Sequence, residues 1–520
     1  MKTKFLSLIC IIATFQLSAQ AITNAEVNVI VEKAMKEFNV AGVAVGIVKD
    51  GKVVIEKGYG VRSIETKVPV DAYTNFQIAS NSKAFTTAAL AILVDEGKIS
   101  WKDKVVKYLP EFKMYNDYVT QNFMIEDLLC HRSGLGLGVG DLMGFPDGSD
   151  FTINDVMTSF QYFKPVSPFR TQFDYDNLLY WVAGELIARV SGMPWEEYIQ
   201  TKIMTPLQMN NSLSSNKQIN DKTNLAIPHS TEGVNNQIRT IALFQEIING
   251  AAGGLFSNVD DMNKWMIMQL NQGKYGNKLD QQLFSEKRQK EMWTIHTVMD
   301  ANSNPIYNQH FNGYGLGWFL NDSKGNLVVS HTGGLPGMLS KVTLIPDLNL
   351  GIVILTNTEN GGGYLFTAVN NTIVDSYLGL DKSDYVEMYA KRFKYKKDNG
   401  DEITAKVWET VANAKKTKIN VQDYVGMYND NWFGKIEVFM KGNQLWFKSY
   451  RSPKLNGPMA FYKANTFAIK WEYQDMNCDA FAMFSLDENG KAQSIKMKGI
   501  SPNIDFSFDF QDLDLQRISK

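Results

Sequence analysis

Cysteine is scarce. Of three in 520 residues, Cys10 lies in an apolar N-terminal stretch, which leaves Cys130 and Cys478 far apart in the rest of the chain. A disulfide framework is thereby excluded, and stability must come from the size of the core. Histidine is also sparse, and His229, His296 and His310 have no ligand-like spacing to one another or to cysteine, so no metal site and no cofactor is expected. Charge is nearly balanced, 53 Lys+Arg against 55 Asp+Glu, which gives no footprint for nucleic acid and no polybasic membrane surface. Beyond the N-terminus no apolar run reaches the length of a bilayer span. The G-x-S-x-G, Walker A and H-E-x-x-H patterns are missing too, as are internal repeats and low-complexity tracts.

The chain is otherwise ordinary globular material, 44% hydrophobic and 12% aromatic. It is long enough for a large core and an additional module. Residues 1–21 read as a secretory signal: Lys2 and Lys4, an apolar stretch from Phe5 to Leu17, and Ala19-Gln20-Ala21 as a small-x-small cleavage site. Its removal takes the formal charge from −2 to −4, because two lysines leave and no acid does. A periplasmic or secreted protein without a stable membrane anchor is expected. Cys10 has no small residues before it, which argues against lipid attachment.

Thr23-Asn24-Ala25-Glu26 is a capping box, followed by apolar positions at helical spacing from Val27 to Phe38. Alternation at Val43, Val45 and Ile47, then Asp50-Gly51, then Val53 and Ile55, predicts a hairpin. Residues 100–250 read as mostly helical. Strands return at Gly315–Leu320, Leu327–Ser330, Val342–Ile345 and Gly351–Asn357. The expected fold class is α/β (α+β): an antiparallel sheet built from both ends of residues 22–378, flanked by helices, with an inserted helical domain. Residues 379–420 read as a charged helical linker. Residues 421–520 read as a small all-β barrel, with short strands that include Phe467–Trp471, Ala480–Phe484 and Phe506–Phe510.

Ser80-Asn81-Ser82-Lys83 opens an apolar helical run that ends at Gly97. Residues at i and i+3 share a helix face, so the Ser80 hydroxyl and the Lys83 amine can meet, and a neutral lysine there can take the serine's proton. Tyr175-Asp176-Asn177 and His331-Thr332-Gly333-Gly334 follow in order. Ser214-Ser215-Asn216-Lys217 and Tyr275-Gly276-Asn277 repeat two of the patterns without the helical or strand context. The ordered triple, with Phe76-Gln77-Ile78-Ala79 and Leu128-Leu129-Cys130-His131-Arg132-Ser133-Gly134 around it, resembles the serine β-lactamase and penicillin-binding-protein superfamily. Within it the likeness is to the class C-type peptidase and esterase branch, over roughly residues 25–375. The last hundred residues resemble the lipocalin-like domain often attached to that branch.

The resemblance implies Ser80 as nucleophile at a helix N-terminus and Lys83 as its desolvated base. It implies Tyr175 as the proton shuttle and Asn177 as a hydrogen-bond partner of Lys83 and of the acyl side chain. The backbone N–H groups of Ser80 and Gly334 form the implied oxyanion hole. His331 and Thr332, with Gly333 behind them, stand on an edge strand and bind the substrate's polar end. His331 replaces the lysine usual in β-lactamases, and Asp176 adds a negative charge at the mouth. These departures favour a peptidase, amidase or esterase over efficient β-lactam hydrolysis. Arg170 pairs Asp176, pairs a substrate acid, or is simply solvated. His131 is expected to anchor its loop. Phe145, Phe151, Phe160, Tyr162, Phe163, Phe169 and Phe173 line a cleft or fill a core. The expected activity is acyl-enzyme hydrolysis of an amide or ester in a small-molecule or peptide substrate. Its rivals are acyl transfer to a hydroxyl or amine acceptor, and a sensor that is acylated or occupied without turnover. The C-terminal domain covers the cleft or makes homo-oligomer contacts.

Overall fold

The computed structural model describes residues 21–519 apart from 221, 232–236, 246–247, 303, 400 and 415–418. The expected leader therefore lies outside the described residues except at its last position. Thr23 caps helix α1 (Asn24–Glu37) with the reciprocal Glu26 bonds of a capping box, and Val27, Val31 and Ala34 turn inward. Strands β1 (Gly42–Lys49) and β2 (Lys52–Gly60) join at Asp50-Gly51, both with positive φ, as a tight two-residue turn between twisted strands requires.

Six further strands complete the sheet: β3 (Thr297–Met299), β4 (Asn312–Tyr314), β5 (Phe319–Ser323), β6 (Asn326–Leu335), β7 (Met338–Ile345) and β8 (Leu350–Thr356). Among the described residues the order is β2-β1-β8-β7-β6-β5-β4-β3, every neighbour antiparallel. The N-terminal hairpin thus sits beside the last strand, and the segment between β2 and β3, residues 61–296, is the insert. Of the single strand expected over Gly315–Leu320, only Phe319 and Leu320 are strand, at the start of β5; residues 315–318 are a break between β4 and β5. Gly317, at φ 79°, packs there so closely that a Cβ would stand 2.6 Å from Thr87 Oγ1.

The insert is less helical than its sequence suggests. Helices α2 (Ser82–Asp95), α3 (Leu178–Ser191) and α4 (Val259–Leu270) are long, but 100–177 is mainly short turns and loops. Glycines with positive φ at 134, 138, 140 and 148 interrupt it repeatedly. Helix α5 (Gly361–Tyr377) and α1 cover one sheet face, while α2 and α4 belong to the larger core on the other, where Phe85 stacks on Trp265 at 3.8 Å.

In the charged segment, α6 (Tyr385–Asn399) docks on α1 and α5, with Phe393 edge-on to Phe38. Helix α7 (Glu402–Ala414) instead lays Val407 and Val411 against the C-terminal barrel at Ala468, Phe481 and Ile500. The barrel closes through eight strands, from Gly426–Asp430 to Leu515–Ile518. Phe506–Phe510 is not among them; that run is a loop leading into a short 3-10 turn. The barrel is held firmly to the insert. Arg451 pairs with Asp150 and Asp155 and lies over Phe151, Lys454 pairs with Asp147, and Trp432 meets Phe163 at 5.0 Å.

Candidate active site

Ser80 stands on a 3-10 turn, Ala79–Asn81, that runs directly into α2. Ala79 holds φ 48°, an unusual backbone for a residue with a Cβ, which lifts Ser80 out of the preceding strand path. Lys83, one turn on, is wholly buried. Its Nζ lies 3.1 Å from Ser80 Oγ, 2.7 Å from Asn177 Oδ1 and 2.9 Å from Ala252 O. The rings of Tyr175 and Tyr180 stand 4.8 and 5.1 Å from the same nitrogen. Burial raises the Tyr175 phenol well above the usual range. Thus Ser80, Lys83, Tyr175 and Asn177, 97 positions apart at the extremes, converge on one point.

The expectation that His331 and Thr332 stand on an edge strand needs correction. β6 lies inside the sheet, between β7 and β5. Its pairing with β5 stops at Ser330 opposite Phe319, so only His331–Leu335 is open on that side. His331 is buried, with Nδ1 donating to Thr332 O at 2.5 Å and Nε2 accepting from the Tyr314 hydroxyl at 2.9 Å. Burial and nearby Lys83 push its pKa down to about 3, so it is neutral at physiological pH. Gly333 is required by contact: a Cβ would stand 2.2 Å from Ile78 O, on the nucleophile turn. Gly334 and Thr332 line the same cavity as Ser80, a space of about 290 Å³.

Two charged residues lie elsewhere than expected. Asp176 is not at the mouth; it is fully buried, Oδ1 accepts the Leu179 N–H, and burial raises its pKa to about 7. Arg170 bonds Asp127 in bidentate fashion, at 2.6 to 3.2 Å, and Arg132 holds the other side of that carboxylate at 2.8 Å. This ion cluster fixes the loop before Tyr175, with Asp127 itself wholly buried. His131 underlies the site: its ring lies 4.2 Å from that of Tyr175, and Nδ1 accepts the Asp176 N–H. Of the aromatic group, Phe145 faces the cavity and packs on Phe244 at 5.0 Å, whereas Phe151, Phe160 and Phe163 are core. The two decoys lie in turns: Ser215 caps a 3-10 turn, and Tyr275 lies in a two-residue strand.

Sequence reasoning offered that the C-terminal domain covers the cleft but singled out none of the residues that do so. Met476, Asp505, Phe506 and Ser507 line the cavity together with Ser80 and Tyr175, and the Phe506 ring meets that of Tyr175 at 5.8 Å. Asp141, buried beside Asn177, was also missed. Nothing local marks either one, because each is defined by contacts across more than thirty residues.

Residues 27–370 match the family model described as Beta-lactamase, and the chain belongs to that family. Residues 411–517 match a second model, described as a domain of unknown function (DUF3471). Among individual proteins, the chain is 28% identical over 395 residues to "Unguisins hydrolase ungD'" of Aspergillus campestris, covering 75% of this chain and 70% of that one. It is 29% identical over 342 residues to "Protein flp" of Staphylococcus aureus strain MW2, and there it spans 63% of the relative's length and 64% of its own. The fold resembles the octameric penicillin-binding protein homologue from Pyrococcus abyssi, with TM-score 0.59 and 22% identity over 95% of this chain and all of that one.

Proposed function

We propose that this protein is an exported serine hydrolase that cleaves an amide or ester through an acyl-enzyme on Ser80. The observation that carries the reading is the bonding of Lys83. Asn177 Oδ1 and Ala252 O accept two of its hydrogens, so a neutral amine directs its remaining lone pair at the Ser80 hydroxyl, 3.1 Å away. Ser80 Oγ gives its proton to Lys83 Nζ as it bonds to the acyl carbon. The N–H groups of Ser80 and Gly334 receive the developing oxyanion, each such donor contributing about 3 kcal/mol. Tyr175, kept protonated by burial, donates to the leaving amine or alcohol and is reprotonated from Lys83. In the second half Tyr175 passes its proton to neutral Lys83 as it takes one from water, whose oxygen bonds to the acyl carbon, and Lys83 returns that proton to the departing Ser80 Oγ.

His331, neutral and with both nitrogens bonded, offers no fixed positive charge to a carboxylate. Poor turnover of β-lactams and of carboxylate-ended peptides is therefore part of the proposal. Export rests on residues 1–21 alone; among the described residues no helix is long and apolar enough to cross a membrane. A second reading, transfer of the acyl group to a hydroxyl or amine acceptor, is favoured by the apolar wall of Phe145, Trp181, Phe244 and Phe506. That wall fits a bulky apolar acceptor.

Intact-mass labelling with a fluorophosphonate tests the reading. Wild type should gain one adduct, Ser80→Ala none, and Lys83→Met should be slower by orders of magnitude. Labelling that survives Ser80→Ala would sink the proposal. Product analysis with and without an alcohol acceptor separates hydrolysis from transfer.

A further inference from the structure

Asp141 takes no part in the chemistry above, yet it is wholly buried one bond away from it. Its Oδ2 accepts from Asn177 Nδ2 at 2.8 Å and from Ser507 Oγ of the barrel at 2.9 Å. Asn177 meanwhile turns Oδ1 to Lys83 Nζ. An amide donates at one end and accepts at the other, and only one of its two flips serves both neighbours. With Asp141 accepting, the oxygen faces the lysine. Without it, the amide is free to present its NH₂ group to Lys83 and lose the contact that orients the amine.

The turn carrying Asp141 is a single 3-10 turn, bonded from the Asp141 N–H to Gly138 O at 3.0 Å and from the Met143 N–H to Gly140 O at 2.9 Å. Gly138 and Gly140 both hold positive φ before it. Asp509 of the barrel braces the turn from outside: its carboxyl group accepts the N–H of Gly140 at 2.6 Å and of Leu142 at 2.9 Å, on either side of Asp141. Phe506 closes over Gly138, where a Cβ would stand 2.6 Å from the Phe506 carbonyl oxygen. The barrel loop and the 138–142 turn therefore form one interlocked unit, with Asn177 at its inner end.

We infer that Asp141 is a positioning residue of the Ser80–Lys83 centre, held in place by Ser507 and Asp509, so that the C-terminal barrel is a working part of the active site. The inference rests on the acyl-enzyme reading above. Burial holds the Asp141 carboxyl well above its usual range, so a neutral acceptor of the same shape suffices, and asparagine should substitute where alanine cannot.

The test uses full-length protein, fluorophosphonate labelling rates, and kcat and KM on an activated ester, with thermal melts as the folding control. Misplacing a catalytic group by about 1 Å costs ~10²-fold. Asp141→Ala should accordingly label roughly 10- to 100-fold more slowly, with the loss in kcat and KM nearly unchanged; Asp141→Asn should return to within about fivefold of wild type. Ser507→Ala, which removes one hydroxyl and leaves the packing intact, should slow labelling about three- to tenfold in the same way. Folded Asp141→Ala or Ser507→Ala protein labelling at the wild-type rate overturns the inference, as does Asp141→Asn behaving like Asp141→Ala. These outcomes leave wild-type labelling at Ser80 in place. If wild type itself fails to label, the acyl-enzyme reading falls and takes the inference with it.

Discussion

Replacing Gly333 by alanine probes how closely β6 is set against the nucleophile. A Cβ there would lie 2.2 Å from Ile78 O, 2.5 Å from Ser340 Oγ and 3.0 Å from Ala79 Cβ. The Ser340 hydroxyl can rotate away only by giving up its bonds to Ile78 O and Asn81 Nδ2. The Ile78 carbonyl and Ala79 cannot, because they are the turn that presents Ser80. β6 must therefore retreat by about 1 Å before the contact becomes ordinary. Overpacking of this kind costs roughly 1–3 kcal/mol of folding stability. The same shift carries the Gly334 N–H away from Ser80, and displacement of that order lowers rate by about 10²-fold. At Gly334 itself an added Cβ meets nothing nearer than Leu339 Cδ2 at 3.4 Å, so Gly334→Ala is the matched control. Fluorophosphonate labelling should be about a hundredfold slower for Gly333→Ala and within about threefold of wild type for Gly334→Ala. Equal rates for wild type and Gly333→Ala, or a worse loss at Gly334, would refute the reasoning.

Asp176, raised to about 7 by burial, holds a proton in the folded state that the unfolded chain releases near pH 4. Its contribution is present below pH 4 and lost as pH rises through 7, so Asp176→Asn, which still caps α3, should gain stability over wild type between pH 5 and pH 8. Denaturant melts showing the same difference at both pH values would count against this. His331 works with the opposite sign: lowered to about 3, it stays neutral when folded, so its contribution is present above pH 6.5 and lost as pH falls. The stability gap between wild type and His331→Gln should shift by about 2 kcal/mol in disfavour of wild type from pH 7 to pH 5, and a flat gap would exclude it. Asp127→Ala leaves Arg170, 31% exposed, without its carboxylate and Arg132, 12% exposed, with Glu126 alone. It should cost about 3 kcal/mol in chemical denaturation, reduced from the fully buried case by the partial exposure of Arg170; a loss under 1 kcal/mol would show that water replaces the ion pairs.

What could be read in the chain was whatever had a local period or a fixed spacing. The Thr23 capping box, the Asp50-Gly51 hairpin and the meeting of Ser80 with Lys83 all lie within four residues, where backbone geometry alone decides. A sheet built from both chain ends followed because β-rich ends around an insert have few ways to close. Charges were read poorly. Asp176, a substrate acid or solvent were the readings for Arg170; instead Arg170 reaches back forty-three positions to Asp127, and Asp176 turns inward to accept the Leu179 N–H of its own helix. Side-chain direction at a loop-to-helix junction carries no period from which to infer it. The strand position of His331 was half right for a similar reason. Where β5 stops pairing depends on Gly317, whose fit against Thr87 exists only once α2 is in place.

The loop Phe506–Phe510 shows why its error was instructive. Alternating apolar and polar residues mark a strand when one face meets a core and the other meets water. Here the same alternation divides the chain between two bodies. Phe508 and Phe510 are buried with the barrel core, where Phe510 stacks on Trp471 at 5.8 Å. Ser507 and Asp509 are buried as completely, but in the other domain, against Asp141 and the Gly140 and Leu142 amides. A period of two thus reports burial on two sides without saying whether the second side is solvent or protein. Ser and Asp in such a run are indifferent to water on an ordinary strand; buried against another domain, each needs a partner of complementary hydrogen bonding. The polar members of the alternation, which look least informative in the sequence, are therefore the ones that fix how the barrel sits and which wall of the cavity it builds.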